Sequence, residues 1–362
     1  MSLAVETMTA DVADLLYVQT QELDWELDLR DQGMDSVRIM ELVERWRQAG
    51  VAGISFRHLA EDRRFERWVE VVSELQGETA DPTRRKTCMA TVSLGGSLEE
   101  KIEAIAGAGF DSIELVDADL RASSMSPAET ARRCADVGLG IDFYQPFRRA
   151  EGVSDAEFSQ VVSRFRMELA VMASVGCSSI LVVSNTDGDA DPDRARSVHQ
   201  LATLADVAAE HDITVTFEAL AWGTHIGRFA DALDVVRQVD HPALSVTVDT
   251  FHLISRGDDV EALREVEIDR IGLVQIADAP WRDLDLMTWS RNHRGFPGEG
   301  DFDLRTPLAH LLAGGYQGPL SLEIFNPRLR ELPPTAVAAR GARALRGLIE
   351  DAERPVTVTA AG

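Results

Sequence analysis

The feature that most constrains the fold is an alternation of short apolar runs with helical patterns, which fills the chain from residue 89 onward. Amphipathic helical patterns such as those at 98–106, 158–175 and 195–210 separate the apolar runs. Eight such units over about 265 residues have the size of a closed parallel barrel surrounded by helices, and doubly wound sheets seldom contain so many parallel units. We therefore predict an α/β fold, a (β/α)8 barrel with strands at Met89–Leu94, Ser112–Val116, Gly140–Pro146, Ser179–Ser184, Thr214–Leu220, Leu244–Thr250, Ile271–Asp278 and Pro319–Phe325.

The last four predicted strands each carry an oxygen-bearing polar side chain near their end. These side chains are Glu218, Asp249, Gln275 and Glu323. The carboxyl ends of barrel strands meet at one face, so the four are expected to converge there. Any one of them alone is better explained as a strand-end group hydrogen-bonded to a loop. Four at equivalent depth instead favour a site for Mg²⁺, Mn²⁺ or Co²⁺, since these ions prefer oxygen ligands.

Two histidines and two arginines are candidate catalytic or substrate-binding residues beside this site. His225 and His252 follow the fifth and sixth predicted strands, where a neutral imidazole can carry a proton, and His252 could instead be a fifth ligand. Arg148 and Arg294 could each pair with a substrate carboxylate. Alternatively, the histidines could be solvated loop residues, and the arginines could form surface ion pairs.

The first part of the chain differs from the barrel. Apolar residues at helical spacing predict three helices before residue 73, with a short fourth helix near Leu59. A charged, turn-rich stretch without apolar periodicity follows. We expect an all-α four-helix bundle over 1–77, a linker over 78–87, the barrel domain over 88–352 and a tail over 353–362.

The second helical pattern begins directly after Asp31-Gln32-Gly33-Met34-Asp35-Ser36. Gly33 permits a sharp turn, and Asp35 is suited to cap the helix. Ser36 is then expected to be exposed at the positive end of the helix dipole, where it could carry a phosphodiester. Taken alone, however, Asp-Ser at a helix start is more often just a cap.

Charge and composition exclude several classes of protein. The formal net charge of −25 repels polyanions, which disfavours nucleic acid and anionic membranes as partners. No apolar stretch approaches the roughly 20 residues needed to span a bilayer, and the N-terminus does not have the pattern of a signal peptide, so we expect a cytoplasmic protein. The three cysteines, Cys88, Cys134 and Cys177, have no metal-type spacing and are expected to be buried core residues.

The run from Leu29 to Trp46 resembles the aryl carrier domains of siderophore and peptide synthesis systems, and the similarity covers about 75 residues. In that family the serine of the Gly-x-Asp-Ser motif receives a 4'-phosphopantetheine arm from coenzyme A. The resemblance therefore implies that Ser36 is the attachment site. It also implies three partners: a phosphopantetheinyl transferase, an aryl-adenylating enzyme that loads the arm, and a downstream synthetase.

The barrel half is similar to the sugar phosphate isomerase/epimerase superfamily, which includes the xylose isomerase-like TIM barrels. Within it, the barrel resembles the bacterial 3-dehydroshikimate dehydratases. Three segments carry that resemblance: Tyr144-Gln145-Pro146-Phe147-Arg148, Phe217-Glu218-Ala219-Leu220-Ala221-Trp222-Gly223 and Val274-Gln275-Ile276-Ala277-Asp278-Ala279-Pro280. The family's metal ligands map onto Glu218, Asp249, Gln275 and Glu323. Its catalytic histidines map onto His225 and His252.

The resemblance implies a metal-dependent lyase that converts 3-dehydroshikimate to protocatechuate. A divalent ion would acidify the C–H beside the ketone, one histidine would take that proton, and another would assist loss of the hydroxyl. We favour His252 as the base, His225 as the acid, and an arginine as the carboxylate ligand. Joined to a carrier for an aryl acid, this activity predicts a role in siderophore or related secondary metabolism.

Three other functions remain open from the sequence. A sugar isomerase or epimerase would use much the same metal site. A carrier protein with an inactive barrel is disfavoured because the ligand set is complete. A repair nuclease of related barrel type is disfavoured by the negative charge and by the lack of further histidines for a multi-zinc cluster.

Overall fold

A computed structural model describes residues 3–25, 27–51, 53–78 and 85–354. The chain forms two structural units, one made mainly of residues before Arg85 and the other of most residues from Arg85 onward. Most of the linker predicted at 78–87, and all but the first two residues of the tail predicted at 353–362, lie outside the described residues.

The first unit is a small helical bundle. Its described residues form helices α1 to α4, which run over Val5–Leu16, Ser36–Gln48, Phe56–Glu61 and Phe65–Glu78. Two tryptophans, Trp46 and Trp68, are fully buried in its core with their rings 6.3 Å apart. The indole nitrogen of Trp68 donates to the carbonyl of Leu59, so the buried polar atom is satisfied. The predicted four-helix bundle is confirmed.

The second unit contains a closed barrel of parallel strands, as the alternation of apolar runs predicts. Each strand pairs with the next along the chain, and β1 pairs with β8 to close the barrel. Within the described residues 85–354, the strands β1 to β8 run over Thr87–Ala90, Ser112–Val116, Gly140–Phe147, Ser179–Val183, Thr214–Glu218, Leu244–Asp249, Ile271–Ile276 and Leu320–Leu322.

Helices cover the outside of the barrel and also occur within the loops that follow its strands. The helix after β3, α8, begins at a Ser154 cap whose side chain accepts from the backbone of Glu157, and it ends at Gly176 in the left-handed conformation. The described helices α5 to α15 run over Leu98–Gly107, Asp117–Ala122, Pro127–Asp136, Asp155–Val175, Arg194–Ala209, Phe229–Val239, Thr250–Ser255, Leu286–His293, Arg305–Ala313, Pro327–Arg330 and Pro334–Glu353.

Several strands are shorter than predicted because residues at their ends build loops. The β7 strand ends at Ile276, two residues before Asp278. The Asp278 carboxylate accepts from the backbone nitrogens of Gly298 and Phe302, at 2.9 and 3.0 Å, and so fastens the long loop that follows β7. None of the described helices has the length and hydropathy required to span a membrane.

Candidate functional site

Four predicted ligands converge at the carboxyl end of the barrel. Glu218 and Asp249 are the last residues of β5 and β6, and Glu323 directly follows β8. Gln275 lies in β7 and is paired in register with Asp249. All four residues are at most 4% exposed, so their side chains lie away from bulk water.

Arg294 provides positive charge within this group. Its Nη1 atom lies 2.8 Å from Asp249 Oδ2 and 3.1 Å from Glu323 Oε2. Its guanidinium is also stacked 4.7 Å from the ring centroid of Phe251, and the residue is 1% exposed. The site thus contains three carboxylates and one guanidinium. Arg294, predicted to bind a substrate carboxylate, is instead engaged by carboxylates of the chain itself.

The carboxylates differ in their electrostatic environment. Burial raises the pKa of Glu218 well above its ordinary value, and the nearby charges of Asp249 and Glu323 raise it further. Burial also acts to raise the pKa of Asp249, but Arg294 and His252 outweigh it, and that pKa is lowered. The carboxylates therefore repel one another, and the positive charge near Glu218 is too small to offset its burial.

Two buried oxygens of this site have no hydrogen-bond donor among the described residues: Glu218 Oε1 and Gln275 Oε1. An unpartnered buried oxygen is costly, because it has lost water without gaining another donor. Ligand atoms of Glu218, Asp249 and His252 also lie within 4.8 Å of one another. Oxygen donors, mutually repelling carboxylates and unpartnered acceptors suit a divalent cation, so these residues fit such an ion.

His252 lies beside the same carboxylates, on the first turn of α11. Its Nδ1 accepts from the backbone nitrogen of Ala221 at 3.1 Å, and burial lowers its pKa to about 3. The ring is therefore neutral near pH 7, and its Nε2 lies 3.5 Å from Glu218 Oε1 and 3.2 Å from Arg294 Nη2, an atom that can only donate. The base role that we favour for His252 from the sequence stays a prediction.

Two of the predicted ligands, Glu218 and Glu323, line a small pocket at this end of the barrel. Apolar and aromatic side chains make much of its wall, and the lining residues near the ligands include Gln145, Leu220, Trp222, His252, Ser290 and Phe325. Arg148 and Arg291 line the pocket as well. Within the described residues, neither guanidinium forms an ion pair with a carboxylate.

Arg291 is half-buried, and the sequence did not single it out. Its guanidinium lies 4.4 Å from the ring centroid of Phe325 and 5.7 Å from that of Trp222. Burial lowers its pKa, and the charges of Arg148 and Arg294 act in the same direction. The cation remains charged, because an arginine stays protonated in proteins. The two aromatic rings hold it in one orientation beside the ligand set.

His225 is not among the residues that line the pocket. Its Nε2 lies 3.0 Å from Glu151 Oε2 and 2.9 Å from Ser197 Oγ, and Glu151 is fully buried. This hydrogen bond to Glu151 raises the pKa of His225. Gly152, at φ +65°, leaves room for the imidazole, which a Cβ would meet at 2.7 Å. The structure thus joins His225 to the loop after β3, and its catalytic role stays a prediction.

Two further buried residues of the site were not predicted from the sequence. Glu114, in β2, is fully buried, and burial raises its pKa to about 8. Gln145, in β3, donates from Nε2 to Glu114 Oε2 at 2.8 Å and to Glu323 Oε1 at 3.0 Å. No sequence pattern joins these residues, because the strands that carry them come together only when the barrel closes.

The helical unit presents Ser36 as the sequence predicts. Ser36 is the exposed first residue of α2. The Asp35 side chain caps the helix by accepting from the backbone of Val37 and Arg38, at 3.0 and 2.9 Å. Gly33 has φ +103°, which favours glycine, and allows the preceding chain to turn into the helix. The serine hydroxyl therefore stands free at a capped helix start, a position that fits a phosphopantetheine arm.

Comparison with known proteins divides the chain in the same way. Residues 102–348 match the family model described as xylose isomerase-like TIM barrel, and residues 6–72 match the one described as phosphopantetheine attachment site. An acyl carrier protein of Streptomyces coeruleorubidus, ScoB, is 43% identical over 75 residues, which are 21% of this chain and 87% of ScoB.

The barrel has a curated relative in Pseudomonas putida, a 3-dehydroshikimate dehydratase that is 43% identical over 262 residues. The match covers 72% of this chain and 41% of the relative, so the chain spans about two fifths of the length of that protein.

A solved structure, a xylose isomerase-like TIM barrel/4-hydroxyphenylpyruvate dioxygenase fusion protein, is 41% identical with a TM-score of 0.73. It matches over 75% of this chain and 43% of its own. The chain belongs to the xylose isomerase-like TIM barrel family, and its N-terminal unit is a phosphopantetheine-attachment domain of the acyl carrier type.

Proposed function

We propose that the barrel is a 3-dehydroshikimate dehydratase that releases protocatechuate and one water. One observation carries the proposal: a buried set of oxygen ligands shares a pocket with two guanidiniums, Arg148 and Arg291, that have no carboxylate partner among the described residues. The substrate offers a ketone beside a hydroxyl-bearing carbon at one part of its ring and a carboxylate at another. The similarity to the Pseudomonas putida dehydratase supports the same substrate.

Glu218, Asp249, Gln275 and Glu323 would hold a divalent cation, with His252 beside them. When bound, the ion polarises the substrate's ketone and makes the neighbouring C–H more acidic. Mn²⁺, Mg²⁺ and Co²⁺ all suit three carboxylates and an amide better than they suit sulfur ligands. We favour Mn²⁺ for the first assays.

The remaining pocket residues would bind and orient the ring. Arg148 and Arg291 pair with the ring carboxylate, and Trp222 and Phe325 form the apolar wall against which the ring packs. His252 would take the proton from the carbon beside the ketone through Nε2 and pass it to the hydroxyl, which then leaves as water. Arg294 keeps Asp249 and Glu323 in position through its ion pairs with both carboxylates. His225, which is bonded to Glu151, supports the loop after β3 in this proposal.

The N-terminal unit would carry an aryl acid on a phosphopantetheine arm at Ser36. A phosphopantetheinyl transferase would attach the arm, an aryl-adenylating enzyme would load it, and a downstream synthetase would take the aryl group. Joining the two units keeps the source of an aryl acid and its carrier at high local concentration. Siderophore or related aryl-containing metabolite synthesis is the proposed setting.

Turnover of 3-dehydroshikimate and of a ketohexose by the full chain with Mn²⁺ tests the proposal. We expect aromatic product from the first compound and no epimer from the second. The matched variant is Glu323→Ala, which should lose turnover while Ser36 is still modified by a transferase. Epimerisation of the ketose without protocatechuate would instead assign the barrel to the isomerases and epimerases.

A further inference from the structure

Glu114 contacts residues of three other strands, one of which carries a ligand of the proposed metal site. It is in the middle of β2, fully buried, and outside the group of pocket-lining residues. Its Oε2 accepts from Gln145 Nε2 and from Gln275 Nε2, both at 2.8 Å. Its Oε1 accepts from Ser321 Oγ. One carboxyl group therefore connects β2 with β3, β7 and β8.

The contact with Glu114 decides which way the Gln275 amide points. An amide has one end that donates and one that accepts, and Glu114 Oε2 can only be approached by the donating end. The Gln275 NH₂ group is therefore turned toward Glu114, and its Oε1 is turned away. That oxygen has no donor among the described residues, which leaves it available to a cation. The Gln275 amide keeps this orientation whether Glu114 is charged or protonated, because a proton on Glu114 Oε1 would leave Oε2 as the acceptor.

The same carboxyl reaches a second predicted ligand through Gln145. The two hydrogens of Gln145 Nε2 are directed to Glu114 Oε2, at 2.8 Å, and to Glu323 Oε1, at 3.0 Å. Glu114 thus fixes the amide that in turn fixes one oxygen of Glu323. The other oxygen of Glu323 is held by Arg294 Nη1 at 3.1 Å.

We propose that Glu114 is a positioning residue that sets the affinity of this site for a divalent cation by orienting Gln275 directly and Glu323 through Gln145. This inference rests on the metal site proposed above. Groups that orient metal ligands without touching the metal typically change affinity by about 10- to 100-fold when they are removed. Glu114 orients two of the four ligands, so a loss within that range is expected.

The test is the affinity of the full chain for Mn²⁺, measured by isothermal titration calorimetry with no substrate present. Glu114→Met keeps the length of the side chain and removes the acceptor, and we expect it to bind Mn²⁺ about 10- to 100-fold more weakly. Glu114→Gln retains an oxygen that can accept from both amides, and it should recover most of the affinity. Far-UV circular dichroism and thermal unfolding verify that each variant is folded.

Thr216→Val is the matched control for a lost buried polar contact. Thr216 is a buried residue of β5 whose hydroxyl bonds that of Thr247 at 2.7 Å, and within the described chain no hydrogen bond joins either hydroxyl to the ligand set. Mn²⁺ affinity should be unchanged in this variant. If Glu114→Met does not fold, Gln145→Met serves instead, since it keeps the Glu114–Gln275 bond and removes the two bonds of Gln145 to Glu114 and Glu323. We expect it to weaken binding by about 10-fold.

Wild-type affinity in a folded Glu114→Met protein would overturn the positioning role. So would an equal loss in Glu114→Met, Glu114→Gln and Thr216→Val, because that would be a general effect of disturbing the barrel interior. If the unmodified chain does not bind Mn²⁺ at all, the metal site itself is wrong and this inference is wrong with it. A chain that binds Mn²⁺ and shows the Glu114 effect but does not turn over 3-dehydroshikimate would retain the inference and reject the proposed reaction.

Discussion

Arg291 is the residue whose replacement should change substrate binding most clearly. We expect Arg291→Met to lower kcat/KM for 3-dehydroshikimate, chiefly through a higher KM. The methionine keeps apolar contact with Phe325, whose ring lies 4.4 Å from the guanidinium, but it removes the charge and the donors. Since the substrate carboxylate would be bound in both ground and transition states, the lost interaction is mainly uniform binding.

The magnitude follows from the environment of the guanidinium. A hydrogen bond to a charged group contributes about 1.5–3 kcal/mol when its partner is well ordered. At about 1.36 kcal/mol for each factor of ten, this predicts a loss of about 10- to 150-fold in kcat/KM. Arg148 is exposed, so water and salt screen its charge, and Arg148→Met should cost only about 0.5–1 kcal/mol, a few-fold.

Steady-state assays of protocatechuate formation by the full chain measure these effects. Arg291→Lys retains the charge without the planar fork, so its kcat/KM should lie between those of wild type and Arg291→Met. Arg166→Met is the control, because Arg166 pairs with Glu210 on the surface and does not line the pocket. Mn²⁺ affinity should be unchanged or higher in Arg291→Met, since a positive charge near Glu323 is removed. An unchanged KM in Arg291→Met would refute the assignment of Arg291 to the substrate.

Three other predictions concern the metal, pH and the carrier. Glu218→Gln should bind Mn²⁺ at least about tenfold more weakly, as calorimetry can measure, because it removes a carboxylate whose Oε1 has no other partner in the described chain. The raised pKa of His225 means that its bond to Glu151 contributes most stability below about pH 6.5, the ordinary value, and that this contribution falls as pH rises through the folded pKa. Urea unfolding should therefore show a larger stability difference between wild type and His225→Gln at pH 6 than at pH 8.5; a difference that grows with pH would contradict this assignment. Mass spectrometry after treatment with a phosphopantetheinyl transferase and coenzyme A should show the arm on wild type and not on Ser36→Ala, while dehydratase turnover stays the same; an arm on the variant would reject Ser36.

Most of the barrel can be predicted from the sequence because each strand is encoded locally. The run Ser112–Val116 is bounded by turn-forming residues, and the structure places β2 over the same residues. Glu218, Asp249 and Gln275 lie at equivalent depth in successive runs, and parallel pairing then requires their side chains to converge. Ser36 is equally local, since its cap and its turn are adjacent residues.

The side chains that contact these residues cannot be predicted from the neighbouring sequence. Glu114 meets Gln275 across 161 positions of sequence, and its role depends on how four strands close around it. Arg291 and Arg294 are only three residues apart. The Arg294 guanidinium is bound by Asp249 and Glu323, whereas that of Arg291 lies against aromatic rings. Which arginine the carboxylates bind depends on where α12 ends, at His293, and a sequence pattern cannot resolve it.

The most direct test of the proposed chemistry is the yield of protocatechuate from 3-dehydroshikimate with the purified full chain, with Mn²⁺ and again after chelation. We predict one protocatechuate for each substrate consumed, no product after chelation, and recovery when Mn²⁺ is returned. Formation of product at the same rate in the presence of the chelator, or no product with Mn²⁺, Mg²⁺ or Co²⁺, would contradict a metal-dependent dehydratase at the carboxyl end of this barrel.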